Sequence, residues 1–134
     1  MNGDEEFSMK RKAIATDRAP KAFGPYSQAI RDGRTLYVSG QLPVDPATGT
    51  LVEGGIREQT QRVIRNLVGI VEAAGGSLES IVKLTFFIAD WNDFAAMNDV
   101  CSKEFKEPYP ARSTLQNTRP MGALVGADAI AVLR

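Results

Sequence analysis

The stretch IREQTQRVIRNLVGIVEAAGGSLESIVKLTFFI, residues 56–88, decides the fold. Its first half repeats apolar residues at helical spacing: at 100° per residue Ile56, Val63, Ile64, Leu67, Ile70, Val71 and Ala74 fall within an arc of roughly 120°. Gly75-Gly76 stops that helix, because glycine tolerates the left-handed cap conformation. In its second half Val82, Leu84, Phe86 and Ile88 alternate with Lys83, Thr85 and Phe87, which predicts a strand. A long amphipathic helix feeding a strand points to helices packed on a sheet.

Outward from this unit, Tyr26 to Ile30 and Thr35 to Gln41 read as two strands joined by Arg31-Asp32-Gly33-Arg34. Asp-Gly between apolar runs is a hairpin signal, since a tight turn needs positive φ. Lys12 to Thr16 reads as a short first strand, and Pro43, Pro46 and Gly49 mark a loop. A second helix is predicted from Asn92 to Phe105, with Trp91, Phe94, Met97, Cys101 and Phe105 on one face and Asn98 set among them. Pro108 and Pro110 end it, and Ala111 to Thr118 and Leu124 to Leu133 close the chain as strands.

The order β-ββ-α-β-α-β-β predicts an α+β protein: one mixed sheet of about six strands with two helices on one face. Residues 12–134 form the single domain. Residues 1–11 read as a flexible leader, with Met9 as an alternative start. The last strand carries apolar residues in both registers. Val125, Ala127, Ala129, Ala131 and Leu133, with Phe87, are expected to point away from the face of Leu124, Ile130 and Val132. Apolar residues on both faces imply cover by a partner subunit.

The 134 residues include 16 Lys plus Arg, 16 Asp plus Glu and no histidine. A net charge of zero argues against nucleic acid or an anionic membrane as partner. Without histidine, Ser-His-Asp, Cys-His and paired-histidine mechanisms are unavailable, and the commonest zinc ligand is missing. The single cysteine, Cys101, fits a reducing compartment, and the N-terminus lacks the apolar core of a secretory signal, so the cytoplasm is the expected location. No apolar run is long enough to span a bilayer.

Five segments resemble, in order and spacing, the Rid family, also called the YjgF or endoribonuclease L-PSP family. They are Gly24-Pro25-Tyr26-Ser27-Gln28-Ala29, then Leu36 to Pro43, then Val82-Lys83-Leu84-Thr85 through Asn92-Asp93-Phe94 and Asn98, then Pro110-Ala111-Arg112-Ser113-Thr114, and finally Ala129-Ile130-Ala131-Val132. The resemblance implies a chorismate-mutase-like fold, a homotrimer, and ligand sites at subunit interfaces. It implies hydrolysis of enamines or imines released by pyridoxal-phosphate enzymes, to 2-keto acids and ammonia, with no cofactor and no metal.

Arg112 is the foremost candidate, because a guanidinium fork matches a carboxylate in two parallel hydrogen bonds. Taken alone, it reads as a surface residue or an ion pair. Tyr26 is expected in the strand beside the pocket, its bland reading being a packing residue. Ser39 and Gly40 are expected on the pocket floor, where glycine lets a ligand approach the backbone; otherwise they mark a strand end with a bulge. Thr114 stands where many relatives have cysteine, and its backbone is implied to orient a water. Asn98, inside an apolar arc, either orients the site or ties the helix down, the structural role being favoured. Cys101 reads as inert core.

One departure from the family is plain. The segment Gly122 to Ile130 has Gly126 where relatives carry an acidic residue that positions water or donates a proton. Asp128, two residues on, either substitutes through water or is a paired acid. Rival readings are a non-catalytic trimer that binds small carboxylates, which Gly126 favours, and an endoribonuclease or translation inhibitor, which the absence of histidine and of net charge disfavours.

Overall fold

The computed structural model describes residues 10–134. The expected leader therefore lies outside the described residues except for Lys10 and Arg11. Eight strands and two α-helices follow in the order β1 (Lys12–Ile14), β2 (Ala29–Asp32), β3 (Thr35–Gln41), β4 (Val44–Asp45), β5 (Thr50–Leu51), α1 (Ile56–Ala73), β6 (Ile81–Ile88), α2 (Phe94–Glu104), β7 (Ala111–Gln116) and β8 (Val125–Val132). Six of the strands form one sheet in the order β1-β2-β3-β8-β6-β7, antiparallel except for the parallel β6–β7 pair. This is the α+β architecture expected from the sequence, with β4 and β5 added as a small hairpin that begins in the Pro43–Gly49 loop and ends just after it.

Helix α1 forms where its apolar arc is continuous, and Val63, Ile64, Leu67, Ile70 and Val71 are buried against the sheet. Its first turn is closed by Glu58, whose carboxylate accepts from the Gly55 N–H at 2.7 Å. At the other end Gly75 takes φ +96°. The Gly75 N–H donates to Glu72 O and the Gly76 N–H to Val71 O, which satisfies carbonyls that the last turn leaves free. Both helices cover one face: Met97, Val100 and Cys101 of α2 join the same core as α1.

On the sheet, the core face carries Leu36 and Val38, then Val125, Ala127, Ala129 and Ala131, then Leu84, Phe86 and Ile88. This corrects the expected facing of β8. The alanine register lies under the helices, and the half-buried register Asp128, Ile130 and Val132 lies on the helix-free face. Small side chains are what a strand needs where a helix rests directly upon it, and α1 rests on β8. The expectation that both faces carry apolar groups holds. The helix-free face bears Tyr37, paired across from Ile130, and Phe87, paired across from Gly126.

Two boundaries move for local reasons. The strand expected from Tyr26 begins only at Ala29, because the Tyr26 N–H turns back to Gly24 O at 2.8 Å around Pro25. The helix expected from Asn92 begins at Phe94, after a 3-10 turn over Trp91–Asp93 in which the Asp90 side chain accepts from the Asn92 N–H.

Candidate functional site

Among the described residues strand β7 is an edge of the sheet, paired only with β6. Alternation along it sends Arg112, Thr114 and Gln116 to the helix side, since they pair with the core residues Leu84, Phe86 and Ile88. Arg112 therefore faces the end of α2 rather than the core interior. With Leu84, Asn98, Cys101, Phe105 and Tyr109 it lines an open cavity of about 350 Å³. Apolar groups there alternate with the Arg112 guanidinium, the Asn98 carboxamide and the hydroxyls of Ser102 and Tyr109.

No carboxylate among the described residues pairs with Arg112. Its guanidinium lies instead over the Phe94 ring, 5.5 Å from the centroid. Trp91 stacks on that same ring, with centroids 4.8 Å apart and planes 13° from parallel. An exposed guanidinium supported by an aromatic face is available to an anion.

Asn98 is exposed at the rim of the cavity, which corrects its expected burial in the apolar arc of α2; the buried positions of that helix are Met97, Val100 and Cys101. The sequence placed Asn98 one step too far inward because a helical arc read at 100° per residue does not fix where the neighbouring strand ends. Cys101 is in the core as expected. Burial pushes its thiol above the ordinary range, and attraction to the nearby Arg112 opposes that shift. Phe105 and Tyr109, which sequence reasoning did not assign to the site, supply much of its apolar wall.

The other candidates stand elsewhere in the chain. Tyr26 is not in a strand; it is exposed in the loop before β2, where its hydroxyl accepts from the Phe23 N–H at 3.2 Å. Ser39 is half-buried on β3, with its hydroxyl donating to Ser27 O. Gly40 lies in the irregularity between Val38 and Gln41, and a Cβ there would meet nothing within 4 Å. Strands β8 and β6 lie between β3 and β7, so Gly40 and Arg112 are about 14 Å apart across the sheet. Asp128 pairs with Thr85 on the helix-free face, opposite to the face of Arg112. Within one chain the candidates form two groups. Arg112, Thr114 and Asn98 stand at the β7 edge, and Tyr26, Ser39, Gly40 and Asp128 stand apart from them.

Gly126 is buried on the helix-free face beneath a second arginine. A Cβ built on it would lie 3.2 Å from Gln41 O and 3.4 Å from Arg119 Cδ. The Arg119 guanidinium in turn lies 4.6 Å from the Phe87 centroid.

A sheet of this order, with two helices packed on one face, defines a small α+β class. The model of the family described as endoribonuclease L-PSP matches residues 16–133. The chain is 49% identical over 124 residues to a RutC family protein of Pyrococcus abyssi, covering 92% of this chain and 98% of that protein. It is 46% identical over 126 residues to the 2-iminobutanoate/2-iminopropanoate deaminase of Bos taurus, covering 93% and 92%. A crystal structure of RidA from an Antarctic Psychrobacter superposes with a TM-score of 0.87 at 44% identity, covering 91% of this chain and 99% of the other. The chain belongs to the Rid family, as its five sequence segments indicated.

Proposed function

We propose that this protein hydrolyses reactive 2-imino or enamino acids to 2-keto acids and ammonia, with the substrate carboxylate held by Arg112. The observation that carries this reading is a guanidinium without a carboxylate partner among the described residues, lining an open cavity of mixed polar and apolar walls. The similarity to mammalian proteins named for imine deamination supports it. A protonated imine is already electrophilic, so alignment of a water by the backbone around Thr114 supplies a large part of the acceleration. No cofactor or metal enters the scheme.

The site is completed by further copies of the chain in a homotrimer. Two features support this. Arg112 lies on a sheet edge with no strand beyond it among the described residues, and the helix-free face leaves Tyr37 and Leu115 exposed. A neighbouring copy would bring the Tyr26, Ser39 and Gly40 group to the Arg112 edge. No helix among the described residues is long and apolar enough to cross a membrane. A cytoplasmic location is part of the proposal and rests on the single unpaired cysteine.

The test is keto-acid formation in a coupled reaction with threonine dehydratase. The wild-type protein should accelerate it and Arg112→Ala should not; absence of acceleration by wild type removes the deaminase reading. One observation favours a second reading, a trimer that binds small carboxylates without turnover. The position of the family's acidic residue is Gly126, and Arg119 covers it. Binding of 2-ketobutyrate by a protein that leaves the coupled reaction unchanged would select that reading.

A further inference from the structure

Arg112 extends from an edge strand, is exposed, and has no carboxylate partner among the described residues. A long cation with no counter-charge among the described residues has many rotamers open to it, and each must be given up when a ligand is clamped. Besides the buried Cys101 sulfur, within hydrogen-bonding reach of the guanidinium, the group that restrains it is the Phe94 ring, 5.5 Å from the guanidinium carbon. Phe94 is the first residue of α2, half-buried with its side chain packed against the core. A second ring braces it further. Trp91 stacks on the ring at 4.8 Å, and the 3-10 turn that carries Trp91 is tied to β7, because the Trp91 N–H donates to Gln116 Oε1 at 2.9 Å. Gln116 and Arg112 are on the same face of the same strand. The aromatic pair is thus anchored to the strand whose arginine it supports.

We propose that Phe94, braced by Trp91, is the positioning residue that orients the Arg112 guanidinium toward an anionic ligand. The proposal rests on Arg112 being the carboxylate clamp. It adds that the clamp is set before the ligand arrives, by the negative face of a ring rather than by a counter-charge. A carboxylate partner would do the same steric work but would compete with the ligand for the guanidinium's donors. A π face supports the cation and leaves the N–H groups in its plane free.

The test is calorimetric titration of the full chain with 2-ketobutyrate. Binding to wild type and its loss in Arg112→Ala establish the clamp. Phe94→Leu keeps an apolar side chain in place but removes the π face, and should weaken binding by about 5- to 30-fold, the range of a partly desolvated cation–π contact. Phe94→Tyr keeps the face and should bind within about 2-fold of wild type. Trp91→Leu removes the stacked ring behind Phe94 and should weaken binding by a smaller factor, which keeps the test alive if Phe94→Leu folds poorly. Wild-type affinity in Phe94→Leu, or equal loss in Phe94→Tyr and Phe94→Leu, overturns the positioning role while leaving the clamp intact. Failure of wild type to bind, or unchanged binding in Arg112→Ala, removes the clamp and the positioning role together.

Discussion

Arg119 covers Gly126: its Cδ lies 3.4 Å from where a Cβ on that glycine would be. Restoring an acid at this position therefore differs from restoring it in an open site. A glutamate at 126 must displace Gln41 O, 3.2 Å from its Cβ, by a few tenths of an ångström, and it would place a carboxylate beside a guanidinium. The expected outcome for Gly126→Glu is a loss of about 1–3 kcal/mol in urea denaturation, with little gain in the coupled deaminase assay. Adding Arg119→Gln should release the carboxylate and raise turnover above that of the single variant. Equal rates in the single and double variants would show that Arg119 does not hold the new acid.

The Gly24–Ala29 segment contains a residue whose work is structural. Gln28 is buried; its Oε1 accepts from the Thr16 N–H at 2.7 Å, and its Nε2 lies within reach of the Thr16, Ala19 and Pro20 carbonyls at 3.0, 3.3 and 2.8 Å. These bonds hold the loop between β1 and β2, on which Tyr26 sits. Gln28→Ala leaves several buried polar groups without partners, so a cost of about 2–4 kcal/mol is expected. Amide exchange at Thr16 should accelerate in the same variant. Stability within 0.5 kcal/mol of wild type, roughly the scatter of a neutral surface substitution, would contradict this assignment.

Much of this was legible in the residues, and what was not has identifiable causes. The arc of α1 and the alternation of β6 report directly on burial, so both elements appear within a residue of their expected ends. The same periodicity is silent about the buried polar positions on α1. Asn66 is fully buried because its amide donates to the Leu42 and Val44 carbonyls, and Gln59 because its side chain accepts from the Leu124 N–H. These bonds reach across the fold and leave no local pattern. The two registers of β8 were both apolar, so pattern alone did not say which lay under the helices; side-chain size, alanine against isoleucine and valine, carried that information. At the site, the Arg112 motif named a residue that the structure puts on the edge strand β7. The separation of Tyr26, Ser39 and Gly40 from it depends on strand order, which no single segment encodes.

Cys101 gives a pH-dependent check on the cavity. Burial raises its thiol, and the Arg112 guanidinium opposes the shift. A native value above the unfolded one means the folded protein holds the proton more tightly. That contribution to stability is complete below the unfolded value of about 8.5 and is lost as pH rises through the higher native value. Iodoacetamide should therefore modify the native protein with a pH midpoint above that of the urea-unfolded chain. In Arg112→Gln, with the attraction removed, the midpoint should move further up. A native midpoint at or below the unfolded one would mean that Cys101 is not in the buried setting described.

The helix-free face offers the most direct test of self-association. Tyr37 is 51% exposed there and pairs across the sheet with Ile130, while Leu115 is 47% exposed on β7. Apolar groups on a sheet face that no helix of the same chain covers are what an obligate partner would bury. With a chain mass of 14.5 kDa, sedimentation equilibrium of the wild type should give about 43 kDa for a homotrimer. Tyr37→Asp adds a charge to that face without disturbing the core, because the side chain is already half in solvent. It should shift the mass toward a single chain, and if Arg112 meets the Tyr26 group only across an interface, 2-ketobutyrate binding should fall in parallel with the mass. A folded Tyr37→Asp monomer that binds as tightly as wild type would confine the site to one chain. A wild type that sediments at 14.5 kDa would leave the apolar face without an occupant.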